Sequence, residues 1–490
     1  MVRKNLSKTL FLKGAQCHKA LWLTKHCPEK RSPLDFRKKA LFEEGRQVGL
    51  LAQSLFPNGK AVDKVSDAIP MRLWWTKKWL QDKRHILYEA TLQADLILIM
   101  VDIMRYSDQG LELIEVKMGT SPEKNHFLMD IVLQDYVCEK AGFKPAVLYL
   151  ATINSDYQRG DEIDINSLFR LTDVTEKVRL LRPHVEQEII SMRESLRLPY
   201  PPDISIGTQC QSPYECEFKA YCWSHVARPT VLDLKGISWD KKFALYQKGI
   251  RTYSDVPPHH MFYDHPQIRL ERDKVPILNK KELRRFLNKI EYPLSFLDFE
   301  AFQMAIPPFL GTHPYQQIPF QFSLHVQSTP HCPAQHHPYF VDPLEDPRPL
   351  IAQKLVDILP KKGAILVYDV GYEKTVLKEF SRLYPTHADF FEDAMCRLVD
   401  LMTPFYQHWV MTAEMQGGLS IKSVLPALLP HITYSSLDIQ DGEMATRMYL
   451  HLACTDDPAL QETYRQQLID YCAMDTDAMV HILAYLYRLI

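Results

Sequence analysis

Three cysteines and a distant fourth constrain the fold of this chain more than any other feature. Cys210, Cys216 and Cys222 are spaced C-x5-C-x5-C, and Cys17 lies almost two hundred residues upstream. Thiolates are soft, charged donors, and zinc and iron-sulfur sites both take about four such ligands. We therefore predict that the four cysteines hold one metal site, which fastens the start of a domain to its end. Four thiolates suit either metal, and reduced thiols in a cytosolic protein are the alternative to a metal site.

The composition is that of a soluble globular protein. Of the 490 residues, 46% are hydrophobic and 24% charged, and this length allows roughly two to four domains. No run approaches the roughly 20 apolar residues that a membrane helix needs. Lys13, His18 and Lys19 interrupt the first apolar stretch, so it lacks the core of a signal peptide. We therefore expect a cytoplasmic protein with no membrane partner.

The charge balance restricts how a nucleic acid would be bound. The formal net charge is −2, so such a partner must be met by local basic patches rather than by a cationic whole. A solvated helix face is the alternative interpretation of each patch. The candidates are Lys77, Lys78, Lys83 and Arg84, and the segment 279–289.

Strand and helix patterns alternate along the chain, which predicts the α/β class. We expect three regions: a domain over 1–227 that ends with the cysteine segment, a helical linker over 228–288, and a second domain over 289–490. The patterns predict helices up to about Leu80 and near 124–141, strands around 85–117 and 145–152, buried strands at FLDFEAF and GAILVYDV, and a long C-terminal helix.

A first group of candidate site residues follows two apolar strands. Glu115 and Lys117 are two apart in LELIEVK, so their side chains project to one face, and Asp102 ends the strand LILIMVD. Asp102 and Glu115 can hold one or two divalent cations, while Lys117 positions or helps to deprotonate the attacking water. Gln134 and Tyr136 follow on a helix.

The order D…ExK…Q.Y resembles that of the PD-(D/E)XK nucleases, particularly the RecB-like branch. With the four cysteines it is similar to the iron-sulfur nucleases of the CRISPR-adaptation and AddAB type. The resemblance covers residues 1 to about 225, and it implies a restriction-endonuclease-like fold. It also implies a [4Fe-4S] cluster on the cysteines and a centre that cleaves nucleic acid. The catalytic residues that it implies are Asp102, Glu115, Lys117, Gln134 and Tyr136.

Two departures from this resemblance affect the metal ligands. The cysteine spacing is usually C-x2-C-x5-C, and Gly49 stands where relatives often have a metal-binding His. Metal ligation would then depend on Asp102 and Glu115, with Glu44 or Glu89 as further candidates.

A second group of acidic residues lies in the C-terminal half. Asp298 and Glu300 alternate on the strand FLDFEAF, and two neighbouring buried carboxylates must be neutralised, most readily by cations. Glu373 follows in VYDVGYEKTVL. On the last helix, Tyr471 and Asp475 are four apart and share a face.

These motifs resemble those of the DEDD exonucleases of the ribonuclease-H-like fold, in the subclass that carries a tyrosine. The resemblance implies that Asp298, Glu300, Glu373 and Asp475 bind Mg²⁺ or Mn²⁺ and that Tyr471 orients the attacking water. The middle motif departs from the family pattern, because Asp369 stands in the Asn place and Glu373 in the Asp place; Asp369 is the alternative ligand.

The stretches HPYQQIPFQFSLH and GGLSIKSVLPALLP resemble a bacterial domain family that has no known substrate. This family joins an N-terminal RecB-like domain to a C-terminal exonuclease-like domain. The expected function is a metal-dependent nuclease acting on DNA, single-stranded or at duplex ends, in repair or in defence against foreign DNA. The alternatives are a nucleic-acid-binding scaffold with weakened catalysis, and an exonuclease that acts on RNA. A protein partner is not indicated by the sequence.

Overall fold

The computed structural model describes residues 6–33, 36–83 and 85–490, without the side chains of 36–39. The chain divides into two compact units. The first unit comprises Met1–Val226 and Met304–Gln316, and the second comprises Ala227–Gln303 and Gln317–Ile490. Each unit combines helices with a sheet that has parallel and antiparallel neighbours. The predicted α/β class is confirmed at this level.

The unit boundaries differ from those expected from the sequence. The segment 228–288, expected as a linker, belongs to the second unit, and 304–316, expected in the second domain, belongs to the first. Polar contacts hold this short segment in place: Ala305 N donates to Glu44 Oε1 at 2.9 Å, and Arg159 N donates to Thr312 O at 2.9 Å. Such contacts leave no hydrophobic pattern, so the sequence gives no sign of them.

The first unit is built on a seven-stranded sheet with the order β2-β3-β4-β5-β6-β7, in which β1 pairs in parallel with β4. The strands are β1 Leu6–Ser7, β2 Lys60–Ala61, β3 Leu87–Ala94, β4 Ile97–Ser107, β5 Gly110–Lys117, β6 Val147–Ile153 and β7 Phe169–Asp173; the helices are α1 Lys8–Gln16, α2 His18–His26, α3 Phe36–Ala52, α4 Ile69–Asp82, α5 Asn125–Lys140, α6 Ile165–Leu168, α7 Thr175–Arg197 and α8 Lys219–Cys222.

The middle of this sheet positions the first group of candidate residues. β4 and β5 form an antiparallel hairpin whose turn ends at Gly110, which adopts a φ of +112° that favours glycine. α5 then crosses over to β6, which pairs in parallel with β5. The apolar face of α5 packs against the sheet in one buried core. The strands and the helix predicted over 85–152 are confirmed.

The second unit is built on a five-stranded sheet with the order β11-β10-β9-β12-β13, in which β9 lies between antiparallel β10 and parallel β12. α17 and α18 pack against β9, and α18 also packs against β10. The strands are β8 Ile277–Leu278, β9 Leu294–Phe302, β10 Ile318–Gln327, β11 Gln335–Phe340, β12 Ile365–Val367, β13 Leu398–Asp400 and β14 Val410–Met411; the helices are α9 Trp239–Gln247, α10 Pro266–Asp273, α11 Lys280–Leu287, α12 Pro347–Ile358, α13 Val370–Leu383, α14 Ala388–Cys396, α15 Thr403–Tyr406, α16 Ile421–Leu428, α17 Gly442–Leu452 and α18 Pro458–Arg488.

A helix that crosses a membrane must be both long enough and apolar enough to span the bilayer. Within the residues that the structure describes, no helix meets both requirements. The long C-terminal helix predicted from the sequence is α18, and it is a core element of the second unit: Leu468, Ile482 and Leu486 on it are fully or almost fully buried.

Candidate functional site

The first acidic centre lies in the first unit, on the two central strands and the helix that follows them. β4 supplies Asp102, β5 supplies Glu115 and Lys117, and α5 supplies Asp130 and Gln134. Lys8 joins them from the first residue of α1, which is held beside the sheet because Leu6 on β1 pairs with Ile97 on β4. We use the name first acidic centre for these six residues.

Glu115 is the hub of the first acidic centre and is almost fully buried. Its Oε1 accepts hydrogen bonds from Lys8 Nζ at 2.8 Å and from Lys117 Nζ at 2.7 Å, and its Oε2 accepts from Gln134 Nε2 at 2.6 Å. Asp130 shares both lysines: Lys117 Nζ donates to its Oδ2, and Lys8 Nζ lies 3.4 Å from its Oδ1. Asp102 Oδ2 accepts from the backbone N of Val116 at 2.6 Å.

The pKa values in this centre are set by burial and by the charges of its own side chains. Burial alone would raise the pKa of Glu115, but Lys117 and Lys8 outweigh burial and hold that pKa below its usual value. Burial would likewise lower the pKa of both lysines, yet Glu115 and Asp130 raise it. Burial and the neighbouring Glu115 raise the pKa of Asp102 well above its usual value. Two ammonium groups thus face the three carboxylates of the centre, and Glu89 on β3 adds a fourth that also raises the pKa of Asp102.

Three other candidate residues take no part in the hydrogen bonds just described for the centre: Tyr136, Glu44 and Glu89. Tyr136 donates from its hydroxyl to Asp95 Oδ2 at 2.6 Å, and burial together with Asp95 raises the pKa of Tyr136 to about 12. Two residues apart on a helix differ by about 200° in direction, so Gln134 and Tyr136 face different neighbours. Glu44 accepts from Ala305 N instead of meeting Glu115. Glu89 lies on β3 at a φ of +52° and adjoins the centre: burial raises its pKa, Glu115 adds to that rise, and Lys8 opposes it.

The four predicted cysteines line one cavity in the first unit, together with Ala20 and Phe218. We call it the cysteine cavity. Among the described residues, no three of these four sulfur atoms lie mutually within 4.8 Å. Burial raises the pKa of the Cys17 and Cys222 thiols, and it raises that of Cys216 to about 11. These thiols are therefore not activated by their protein neighbours.

Polar contacts draw the two ends of the first unit together around the cysteine cavity. Gln16 Nε2 donates to the carbonyl oxygens of Gln209 at 2.8 Å and Tyr214 at 2.7 Å. Glu217 forms ion pairs with Lys13 at 2.9 Å and with Arg31 at 2.6 Å. Residues almost two hundred positions apart are thus joined without any metal ligand taking part.

The second acidic centre lies in the second unit and comprises Asp298, Glu300, Glu373, Tyr471 and Asp475. β9 supplies Asp298 and Glu300, the first turn of α13 supplies Glu373, and α18 supplies Tyr471 and Asp475. β9 lies at the centre of its sheet, and α18 packs across it. The residues therefore meet although they are almost two hundred positions apart.

Three carboxylates converge in this centre. One oxygen each of Asp298, Glu300 and Asp475 lies within 4.8 Å of the others, an arrangement with room for a metal ion. Asp475 Oδ1 accepts from the Tyr434 hydroxyl at 2.5 Å. Cys472 Sγ lies 3.5 Å from Asp298 Oδ2.

Glu373 lies beside these three carboxylates rather than among them. It is almost fully buried, and its Oε2 has no hydrogen-bond partner among the described residues. Asp369, the alternative ligand, lines the adjacent cavity and caps α13 from a φ of +69°. Its backbone N donates to Asp400 Oδ1 at 3.1 Å.

Tyr471 and Lys422 form the polar wall of a cavity of about 290 Å³ beside the second acidic centre. Asp298 and Asp475 also line this cavity. Lys422 Nζ donates to the Tyr471 hydroxyl and lies 4.4 Å from the centre of its ring. The tyrosine is almost fully buried, so its hydroxyl is held at the cavity wall.

The pKa values of the second acidic centre show the energetic cost of bringing its carboxylates together. Burial and Asp475 raise the pKa of Asp298 well above its usual value, and burial and Asp298 do the same for Glu300. Burial raises the pKa of Asp475 to about 6, and burial together with Asp298 raises that of Glu373 to about 9. Among the described residues, one ammonium group, that of Lys422, offsets them. This balance differs sharply from that of the first acidic centre.

One protein-family model matches the chain, over residues 295–420, and it describes a "Domain of unknown function (DUF2779)". The matched range contains β9 and the start of α13, with Asp298, Glu300 and Glu373, but not Tyr471 and Asp475 on α18. No curated protein and no solved structure matches the chain.

Sequence reasoning missed Lys8, Asp130, Lys422 and Tyr434. Asp130 and Gln134 are four apart on α5, so helix periodicity alone would have placed them on the same face. Lys8 and Lys422 reach their partners across 107 and 49 positions, and no local pattern marks such contacts. Of the predicted basic patches, Lys77, Lys78 and Lys83 are exposed, whereas Arg84 lies outside the described residues.

The raised pKa values predict how stability depends on pH when no divalent cation is present. Carboxylates with a raised folded pKa keep their protons above the unfolded values near 4, so the free energy of unfolding falls as pH rises toward 9. In EDTA we expect Tm to decrease between pH 5 and pH 9. Mn²⁺ should raise Tm more at pH 9 than at pH 5. Differential scanning fluorimetry measures both effects.

The matched variant for this test is Asp298→Asn with Glu300→Gln, which keeps the shape of the side chains but removes two titrating groups. Its Tm should depend less on pH, and Mn²⁺ should shift it less. A wild-type Tm that rises from pH 5 to pH 9 in EDTA would contradict the account, because it would mean that the charges of these carboxylates are already neutralised within the protein.

Proposed function

We propose that this protein is a divalent-metal-dependent nuclease acting on DNA, with hydrolysis at the second acidic centre. The observation that carries the proposal is the convergence of Asp298, Glu300 and Asp475 within 4.8 Å at the wall of a cavity. Within the described residues, one lysine is not enough to neutralise this centre. Buried like charges of this kind call for cations.

The fold around this centre fits an exonuclease of the ribonuclease-H-like, DEDD type. A central strand carries D-x-E, the first turn of α13 carries Glu373, and α18 carries Tyr471 and Asp475 in the order that the resemblance implies. Asp298, Glu300 and Asp475 would hold Mg²⁺ or Mn²⁺, with Glu373 as a further ligand. Such cations supply Lewis-acid activation of water and offset charge that develops on the phosphate.

The chain's own residues have separate roles in this proposal. The Tyr471 hydroxyl, fixed by Lys422, would orient the attacking water. Lys422 would place a positive charge beside the phosphate as its negative charge grows. The cavity, at about 290 Å³, lies at the low end of the usual range of about 300–1,000 Å³ for ligand sites. Its size suits one terminal nucleotide, and the resemblance to DEDD exonucleases implies removal of nucleotides from a 3′ end.

The first unit supports a second assignment, that of a RecB-like PD-(D/E)XK domain. Three antiparallel strands lead into a helix and a parallel strand, with Asp102, Glu115 and Lys117 on the two central strands. Lys8 and Lys117 already bind the Glu115 carboxylate, however. We therefore propose that this domain chiefly binds DNA and contributes little to hydrolysis. This assignment resembles the weakened-nuclease alternative, restricted to one unit.

We propose that the cysteine cavity holds a [4Fe-4S] cluster, as the resemblance implies, with a single zinc ion as the alternative. Zn–S bonds of about 2.3 Å would require tetrahedral sulfurs about 3.8 Å apart. A four-iron cluster is larger and holds its four thiolates farther apart. The four cysteines line one cavity, as the ligands of one shared group would. When bound, the cluster would act as a structural cross-link between Cys17 and the segment 210–222.

The principal prediction concerns degradation of end-labelled DNA with Mg²⁺ or Mn²⁺. Asp298→Asn with Glu300→Gln should lower the cleavage rate at least about 100-fold, because the cation ligands are lost. Glu115→Gln with Lys117→Met should leave the rate within a few-fold of wild type. Single-stranded DNA, duplex DNA and RNA, labelled at either end, would show substrate and polarity.

The control variant is Asp389→Asn with Glu392→Gln on the exposed side of α14, which removes two negative charges that belong to neither acidic centre. It should cleave at the wild-type rate. Activity lost in the Glu115/Lys117 variant but kept in the Asp298/Glu300 variant would move hydrolysis to the first acidic centre. Failure of the wild-type protein to cleave any of these substrates would favour the scaffold alternative.

The metal assignment predicts the colour and metal content of the protein. Protein purified without oxygen should be brown, with broad absorbance near about 400 nm from thiolate-bound iron. Cys222→Ser should lose iron and lower the stability of the first unit, because metal binding is coupled to folding. Cys396→Ser replaces an exposed cysteine of the second unit, and it should change neither the iron content nor the stability of the first unit. A colourless protein with stoichiometric zinc would contradict the cluster.

A further inference from the structure

Helix α4 of the first unit exposes an aromatic and basic face that neither acidic centre uses. Met71, Trp74, Trp75 and Lys78 are spaced i, i+3, i+4 and i+7, so they share one side of the helix. Thr76 and Leu80 on the opposite side are buried. Thr76 Oγ1 also accepts a hydrogen bond from Thr91 N on β3 at 3.0 Å. The orientation of the exposed side is therefore fixed by packing on the sheet.

Trp74 on this face is open to solvent, whereas Trp75 is half-buried beside Trp79. Trp74 is 51% exposed, and the neighbouring Met71 is 46% exposed. The rings of Trp74 and Trp75 meet edge to face, with centroids 4.6 Å apart and an interplanar angle of 81°. Exposed apolar surface of this kind costs free energy in water, and large exposed aromatics mark interaction sites. Their arrangement leaves a flat ring surface available to a partner.

Positive charge surrounds these rings. Lys78 Nζ lies 4.7 Å from the centre of the Trp74 ring and 5.0 Å from that of Trp75. Lys77 is exposed beside it on the same helix, whereas Lys83 Nζ lies 5.9 Å from the centre of the Tyr106 ring. Neither Lys77 nor Lys78 forms an ion pair with a carboxylate in the part of the chain that the structure describes. The charge is thus available to an anionic partner.

We propose that this face, defined by Trp74, Trp75, Lys77 and Lys78, binds single-stranded nucleic acid. Bases stack on exposed aromatic rings, and lysines beside the rings neutralise the phosphates between the bases. A duplex hides the faces of its bases, so it can use the lysines but not the rings. The inference rests on the proposed nuclease function and assigns its substrate: the face would hold a single strand during degradation.

The test measures binding without cleavage. Fluorescence anisotropy of a labelled thymidine 20-mer is followed in EDTA with the Asp298→Asn/Glu300→Gln protein as the parent. In this background Trp74→Ala should raise Kd at least about 10-fold. Trp74→Phe should restore most of the affinity, because a smaller ring still stacks. Tyr200→Ala, which removes another exposed aromatic of the first unit, should leave Kd unchanged.

The lysines are tested by salt dependence, which a merely structural role would not alter. Each phosphate contact contributes about 0.7 to the slope of log K against log salt for single strands. Lys77→Ala with Lys78→Ala should therefore lower the slope by about 1.4. Lys361→Ala with Lys362→Ala removes two exposed charges from the second unit and should leave the slope unchanged.

The outcomes separate this inference from the proposed function. Wild-type cleavage combined with an unchanged Kd for Trp74→Ala would overturn the binding face and leave the nuclease assignment intact. Loss of binding in Trp74→Ala without cleavage by wild type would support the face and refute the nuclease. Equal loss of affinity for duplex and single strands in Trp74→Ala would overturn the stacking role.

Discussion

The constraint on which the second unit depends is the mutual repulsion of its buried carboxylates. Asp298, Glu300 and Asp475 are brought within 4.8 Å of one another by a central strand and the helix packed across it. Protons or cations must neutralise them, and the raised pKa values are the sign of that requirement. The hydrophobic core of β9 and α18 holds the carboxylates together against this repulsion. A cation bound there would add stability, so folding and the proposed chemistry are linked.

In the first acidic centre, lysines instead of cations reduce the repulsion between buried carboxylates. Lys8 and Lys117 bind Glu115 directly, and their charges hold its pKa below the usual value. A buried carboxylate that already has two ammonium partners gains little from a cation. The two units therefore contain similar acidic motifs, but two lysines bind carboxylates in the first unit and one lysine offsets the carboxylates of the second. This difference, more than either motif alone, is the reason for assigning hydrolysis to the second unit.

Local periodicity explains what the sequence predicted well. The two-residue period of β9 and β5 places Asp298 with Glu300 and Glu115 with Lys117, and the four-residue spacing on α18 places Tyr471 with Asp475. Long-range contacts explain the rest. Lys8 reaches Glu115 across 107 positions, and polar contacts hold 304–316 in the first unit. The resemblance implies that Tyr136 and Gln134 are both catalytic, but helix geometry turns residues two apart in different directions and Tyr136 donates to Asp95. The described fold thus depends on pairings that no local pattern encodes.

The most direct test of this account is a Mn²⁺ titration followed by electron paramagnetic resonance, because it reports cation binding without requiring turnover. We expect the wild-type protein and the Glu115→Gln/Lys117→Met variant to bind Mn²⁺ with the same stoichiometry and similar Kd. The Asp298→Asn/Glu300→Gln variant should lose this binding. Wild-type binding that survives in the Asp298/Glu300 variant and disappears in the Glu115/Lys117 variant would contradict the account.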